Sequence, residues 1–232
     1  MKPRASFVIP AYNAESWVSK TILSCLNQTV KQVEVVIVND GSNDATGEII
    51  DFHAKRDKRI VPVHLEQNVG RSEARNIGNR KAASDIIMVL DADDMAMRSR
   101  TKDTLAFFEA RKPDVAWGAF FVIDAFGNMG QKIPCAEFKP DAQRETKLNY
   151  ICHSTMAYRK GVTLNVPYDT GEYSKLGLDD WKFQWDCHSA GYSMKHIKTP
   201  LSYYRQTKNG AMGTRDESEV ARVKDAYFNV KV

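Results

Sequence analysis

Ile86-Ile87-Met88-Val89-Leu90-Asp91-Ala92-Asp93-Asp94 decides how the rest of the chain is read. An apolar run of strand length without polar alternation has the pattern of a strand buried on both faces, as in a parallel α/β sheet. The run stops at three carboxylates, and ionised carboxylates are costly to remove from water unless something compensates them. This stretch alone leaves two compensations open. One is a divalent cation: hard oxygen ligands suit magnesium or manganese, which keep waters and share substrate phosphates. The other is a strand followed by a helix capped by Asp94 or Ser99.

Upstream, strands and helices alternate. Ser6-Phe7-Val8-Ile9 reads as a strand closed by Pro10. The loop Ala11-Tyr12-Asn13 follows, then a helix with Val18, Ile22, Cys25 and Leu26 on one face, capped by Asn13 or Ser16. Val33 to Val38 is β-branched and strand-like. It runs into Asn39-Asp40-Gly41-Ser42-Asn43-Asp44, a cluster of turn formers, and then a helix capped by Asp44 or Thr46 that turns Ile49, Ile50 and His53 inward. Ile60 to Leu65 is a third strand. After Asn68-Val69-Gly70 comes a basic helix with Arg71, Arg75, Arg80 and Lys81, its small face made by Ala74, Ile77, Gly78 and Ala82. This alternation predicts a mostly parallel sheet with helices on both faces. Ligands bind such sheets beyond the carboxyl ends of the strands. Residues 10–13, 40–42 and 91–94 all lie at such ends.

Downstream the pattern loosens. Arg100 to Arg111 reads as a helix, Val115 to Asp124 as a long strand and Ala125-Phe126-Gly127-Asn128 as a hairpin turn. Ile133 to Asp141 reads as loop and Ser154 to Tyr158 as a short strand. Asp179-Asp180 opens an aromatic helix, Trp181 to Ala190, ended by Gly191. Lys195 to Ile197 is a last strand, and a charged helix runs from about Asp216 to Phe228. No repeat or flexible linker interrupts the chain, so one domain over 1–232 is expected, with halves 1–95 and 96–205 and a tail 206–232.

The composition, 43% hydrophobic and 27% charged, is that of a soluble globular protein. No apolar run approaches the roughly 20 residues that span a bilayer, and no cleavable leader follows Met1-Lys2-Pro3-Arg4. Cys25, Cys135, Cys152 and Cys187 show no paired metal spacing and read as reduced thiols of a cytoplasmic protein. The net charge of +4 suits an anionic ligand without marking a nucleic-acid binder.

No Gly-rich phosphate loop follows the first strand, so a nucleotide must be held otherwise. Asp40 can accept a hydrogen bond from a base or ribose, or close an Asx-turn. Tyr12 can stack on a base or pack half-buried. Arg71 and Arg75 lie one helical turn apart. Arg75, on a helix that starts beside the expected pocket, is the candidate for diphosphate, against a solvated basic face pairing with Glu73. Asp179-Asp180 is a second acidic pair. Like charges push one pKa upward, as suits a general base, while either Asp also caps a helix. His153 can contact an acceptor or a metal, or be a structural histidine. No Ser/His/Asp order or nucleophilic cysteine setting is legible.

Taken in order, these stretches resemble family 2 glycosyltransferases. Residues 7–13, Phe-Val-Ile-Pro-Ala-Tyr-Asn, are similar to the family's opening motif. Residues 36–44 resemble its second motif, with Asn39 where Asp is common, and residues 68–78 resemble its third. Leu90-Asp91-Ala92-Asp93-Asp94 looks like the metal-binding DXD motif. Beyond residue 95 the resemblance thins: His153-Ser154-Thr155-Met156 and Pro200-Leu201-Ser202-Tyr203-Tyr204-Arg205 match late segments. Leu178-Asp179-Asp180-Trp181 resembles the Glu-Asp motif of the catalytic base, with Asp179 replacing Glu. The Gln-x-x-Arg-Trp signature of processive members is absent, which implies single-sugar transfer.

The resemblance implies a GT-A fold, a mostly parallel central sheet with helices on both faces and a small antiparallel subregion on the acceptor side. Residues 1–95 would bind the donor and 96–205 the acceptor. It further implies an inverting transferase using manganese or magnesium and a nucleotide-sugar, UDP being the commonest carrier. Asp91, Asp93 and Asp94 would serve the metal. Pro10, Ala11, Tyr12, Asn13, Asp40, Gly70, Arg75, Asp91, Ala92 and Asp93 would line the donor site. Asp180 would be the base, with Asp179, Trp181 and His153 towards the acceptor. The expected acceptor is a hydroxyl of a glycan or lipid-linked sugar. Lys55, Arg56, Lys58, Arg59, Arg98, Arg100 and Lys102 raise a polyanion such as modified nucleic acid as the alternative, against scattered solvated charge. A nucleotidyltransferase would need the missing Gly-rich loop, and a non-catalytic relic would have no use for both the strand-end acids and Asp180.

Overall fold

Three β/α units set the frame: β1 (Ala5–Ala11), α1 (Val18–Leu26), β2 (Val33–Asn39), α2 (Thr46–Ala54), β3 (Ile60–His64) and α3 (Arg71–Lys81), leading into β4 (Ile86–Val89). The computed structural model describes residues 2–134, 136–140, 149, 151–206 and 217–230; Cys135, Asp141 and Asp216 lie outside them. β5 (Met95–Ala96), α4 (Arg100–Arg111), β6 (Val115–Ile123) and β7 (Met129–Ile133) follow. Then come a 3-10 turn (His153–Thr155), β8 (Ala157–Arg159), α5 (Lys160–Asn165), α6 (Glu172–Lys175), α7 (Asp179–Ser189), β9 (Met194–Arg205) and α8 (Glu217–Val230).

Among the described residues the strands form one sheet, ordered β3-β2-β1-β4-β8-β6-β9-β5, with β7 beside β6. β3, β2, β1 and β4 are parallel. β8 enters antiparallel between β4 and β6, and β6 and β9 then resume the direction of β4. β5 and β7 supply the antiparallel edge pieces. The carboxyl ends of β1, β2, β4, β6 and β9 therefore face one side of the molecule.

The unbroken apolar runs follow from burial on both faces. Phe7, Ile9, Val35, Ile37 and Met88 feed one core cluster with Val18, Ile22 and Cys25 of α1, Ile50 of α2 and Phe108 of α4. Val8, Val36, Ile87 and Val89 feed the opposite one with Trp117, Tyr158 and Phe183. α3 packs on this second face, where a side chain at Gly78 would sit 2.5 Å from Val8 Cγ1. Burying one such side chain is worth about 1.5–3 kcal/mol, so shifting any central strand by one residue would cost several of these at once.

Several local readings need correction. β1 continues through Pro10, because its pairing with β4 ends at Val8 and the missing proline N–H leaves no β4 partner unsatisfied. Neither Asn13 nor Ser16 caps α1, whose cap position is Trp17. Asn13, at φ 48°, instead ties two loops, its N–H donating to Ser42 Oγ and its Oδ1 accepting from Asn43 N–H. Residues 153–155 form a turn rather than a strand. The turn expected at residues 125–128 is followed by β7, a solvent-facing strand that pairs antiparallel with β6 and takes Ile133 out of the expected loop. β9 runs far beyond Ile197: a register shift against β6 near Gly118 bypasses Lys198 and Thr199 and accommodates Pro200.

Candidate active site

The acid loop after β4 is held from several sides. A polar stripe of Thr21 and Ser24 on α1 and Gln28 just past its end faces it. Thr21 Oγ1 donates to the carbonyls of Ala92 and Asp94 (2.7 and 2.8 Å), Ser24 Oγ accepts from Ala96 N–H (2.9 Å), and Gln28 Nε2 donates to Met97 C=O (2.9 Å). From the end of β9, Arg205 donates through Nε to Asp93 C=O (2.8 Å) and through its backbone N–H to Asp94 Oδ1 (2.6 Å). Beneath lies Arg100, wholly buried, donating to the carbonyls of Ser154, Val89 and Met156. Burial lowers its pKa to about 10, so it remains a cation under the carboxylates.

The three acids have different fates. Asp94 is wholly buried and faces Arg205, and burial followed by the charges of Asp93 and Asp91 pushes its carboxyl well above the ordinary range. Its Oδ1 is thereby tied to the end of β9, while its Oδ2 is buried with no hydrogen-bond partner among the described residues. Asp91 is partly exposed and accepts from Arg75 Nη2 at 2.6 Å. Burial works to raise its pKa, but the charge and hydrogen bond of Arg75 outweigh it and hold it at about 2. Burial, then the charge of Asp91, raises Asp93 to about 6. Among the described residues no three His, Cys, Asp or Glu side chains gather into a cation cage. Asp93 and Asp91 are nevertheless the donor set that magnesium or manganese uses, one or two carboxylates completed by phosphate oxygens.

From Asp91 a buried ion-pair network leads to the start of α7. Arg75, 2% exposed, bridges Asp91 to Asp179 through Nη2 and Nη1. Arg71 donates from Nε (2.8 Å) and Nη2 (2.6 Å) to Asp179 Oδ1. With both arginines on it, Asp179 is held below the ordinary carboxylate range despite complete burial. The Arg75 guanidinium is thus engaged by a carboxylate on either side, and both oxygens of Asp179 are taken up by arginines.

Its neighbour Asp180 keeps a different environment. Oδ1 accepts from Trp181 N–H (2.7 Å) and Oδ2 from Asn149 Nδ2 (2.9 Å). Burial, then the charge of Asp179, raises its pKa above the ordinary value, the direction a general base needs. Trp181 and His153, expected towards the acceptor, are both buried. Trp181 is 1% exposed, stacked on Tyr173 and edge-on to Tyr227 of α8. His153 is buried with Nε2 3.0 Å from the Tyr168 hydroxyl, and burial followed by Arg75 lowers its pKa to about 3, leaving it neutral.

At the ends of β1 and β2, Tyr12 is 47% exposed. Asp40 is buried and accepts from Val69 N–H (2.7 Å) and Gly70 N–H (3.0 Å), fixing the turn before α3. Gly70 takes φ 90°, and Gly41, at φ 66°, lets this loop come so close to Gln67 that a Cβ would lie 2.5 Å from its carbonyl carbon. Arg100, named from the sequence only among the basic residues of a polyanion surface or solvated charge, is buried, and sequence reasoning assigned no role to Arg205 or to the Thr21–Ser24–Gln28 stripe. The stripe's helical spacing was the signal available.

The profile of glycosyl transferase family 2 matches residues 6–165. A glycosyltransferase of Haemophilus influenzae, itself uncharacterized, is 28% identical over 210 residues, covering 89% of this chain and 78% of that protein. Glycosyltransferase EpsJ of Bacillus subtilis is 36% identical over 121 residues, covering 52% of this chain and 35% of EpsJ. Among solved structures, S. aureus TarS 1–349, crystallised with UDP, superposes with a TM-score of 0.69 at 19% identity, covering 95% of this chain and 64% of that one. At that identity the likeness is one of fold, and it is the GT-A fold. The chain is a glycosyltransferase. It belongs to glycosyl transferase family 2.

Proposed function

We propose that this chain transfers one sugar from a nucleoside diphosphate sugar, of which a UDP-sugar is the first choice, to a hydroxyl of a glycan or lipid-linked sugar, with inversion at the anomeric carbon. The observation that carries this reading is the buried network Asp91–Arg75–Asp179 that braces the strand-end acids and ends beside Asp180. TarS, which shares the fold, has been crystallised with UDP and with UDP-GlcNAc.

On this reading residues 1–95 serve the donor and residues 96–205 the acceptor. The half-exposed ring of Tyr12 stacks on the base, and the backbone of residues 10–13 frames the ribose. Asp40 holds the 69–70 turn with two of its lone pairs and keeps others for a base N–H. Asp93 and Asp91 would hold manganese or magnesium, and such an ion would supply charge stabilisation to the departing diphosphate. Asp180 accepts the proton of the acceptor hydroxyl as that oxygen bonds to the anomeric carbon. The bond to the diphosphate breaks on the opposite face and its electron pair leaves with the phosphate oxygen. An α-linked donor then yields a β-linked product. The test is proton NMR of the product anomeric centre after incubation with UDP-sugars, manganese and a panel of sugar acceptors. A β-linkage is expected, and a retained α-linkage would contradict the mechanism.

A further inference from the structure

The carboxyl ends of β6 and β9 carry an aromatic pair that the mechanism above does not use. Phe120 and Tyr204 are both half-buried, with ring centroids 5.7 Å apart and planes at 70°. The register explains the pairing. Phe120 lies opposite Ser202 and Val122 opposite Tyr204, so Phe120 and Tyr204 occupy one face two residues apart. Phe121 and Tyr203, directly opposite one another, stack on the other face. Among the described residues neither Phe120 nor Tyr204 joins the two large core clusters.

The location gives the pair a use. In the sheet order β2-β1-β4-β8-β6-β9, the nucleoside end of the site lies on β1 and β2, and the acids lie at the end of β4. Phe120 and Tyr204 stand at the same end of the sheet but on the far side of the acids. Tyr204 directly precedes Arg205, whose backbone N–H holds Asp94 Oδ1 at 2.6 Å. A half-buried aromatic pair beside carboxylates matches a pyranose ring, which has an apolar C–H face and a rim of hydroxyls.

We propose that Phe120 and Tyr204 form the platform on which the acceptor's terminal pyranose ring stacks, a specificity-determining subsite opposite the donor. This rests on the donor reading of the strand-end acids, and the two can fail separately. The test uses wild type, Phe120→Leu and Tyr204→Leu, with UDP and manganese present. Saturation-transfer NMR is read on the ring protons of methyl α- and β-pyranosides of glucose, galactose and N-acetylglucosamine. Calorimetry measures UDP and UDP-sugar binding in the same samples. The expected result is saturation of at least one pyranoside by wild type, weakened about tenfold or more in both variants, with donor binding unchanged. Saturation that persists in both variants would overturn the platform, as would a wild type that saturates no pyranoside while binding UDP. Selective loss of UDP-sugar but not UDP binding in the variants would instead assign the rings to the donor sugar and overturn the acceptor role. Failure of wild type to bind any donor would remove the donor reading first.

Discussion

Replacing Asp179 by Asn tests the buried network with little change of shape. Asp179 is completely buried and accepts from two arginines, one of them, Arg75, only 2% exposed. Removing one partner of a buried ion pair costs about 3–5 kcal/mol, chiefly because the other charge is stranded. Here the lower end applies: Arg75 keeps Asp91, and the Arg71 side chain, 35% exposed, can turn to water. The expected loss is about 3 kcal/mol, or roughly 6–12 °C in Tm for a chain of this length. Arg71→Met, which removes the more solvated partner, should cost about 1 kcal/mol or less. The pH dependence has a definite sign. A carboxylate depressed in the folded state stabilises fully above its unfolded pKa of about 4 and loses that contribution as the pH falls through its folded value. The gap between wild type and Asp179→Asn should therefore be constant from pH 5 to 7 and close only below about pH 4. Urea denaturation followed by circular dichroism gives both numbers. An Asp179→Asn protein as stable as wild type at pH 7, or one less affected than Arg71→Met, would refute the reasoning.

Asp93 behaves oppositely. Its folded pKa of about 6 lies above the unfolded one, so its ionisation destabilises the metal-free fold at pH 7. Asp93→Asn should raise Tm there by the equivalent of about 1–2 kcal/mol, and the gain should vanish by about pH 4 in a thermal melt series. Asp180→Asn should lower kcat by about 10²–10⁴ while donor affinity, measured by calorimetry, is unchanged. In wild type the acidic limb of kcat should lie above the ordinary carboxylate pKa of about 4, because Asp180 is raised. Gly41→Ala combines φ 66° with a backbone clash at Gln67 and should cost about 2–3 kcal/mol in urea denaturation.

The first half of the chain was legible because its signals are local. The run Ile86–Val89 ending in acids, the turn formers after Val38 and the Gly70 entry into α3 each state their geometry within a few residues, and α4 falls where the sequence expects it. What escaped is long-range. Arg71 and Arg75 meet a carboxylate more than a hundred residues away, and nothing near either arginine announces it. Asp94 reads like its neighbours, yet it turns inward because Arg205 offers its backbone N–H there. Trp181 reads as an aromatic towards the acceptor, but α8 packs Tyr227 against it. The sequence presents Lys195–Ile197 and Pro200–Arg205 as separate stretches, and the register shift near Gly118 joins them in β9.

The central claim is that Asp93 and its neighbours at the end of β4 bind a nucleoside diphosphate sugar. Isothermal calorimetry tests it most directly, with UDP-sugars first and GDP- and dTDP-sugars next, with and without manganese, on wild type and Asp93→Ala. The account predicts manganese-dependent binding of one donor class by wild type and its loss in a folded Asp93→Ala protein. Donor binding that survives in Asp93→Ala, or a folded wild type that binds none of these donors, would contradict it.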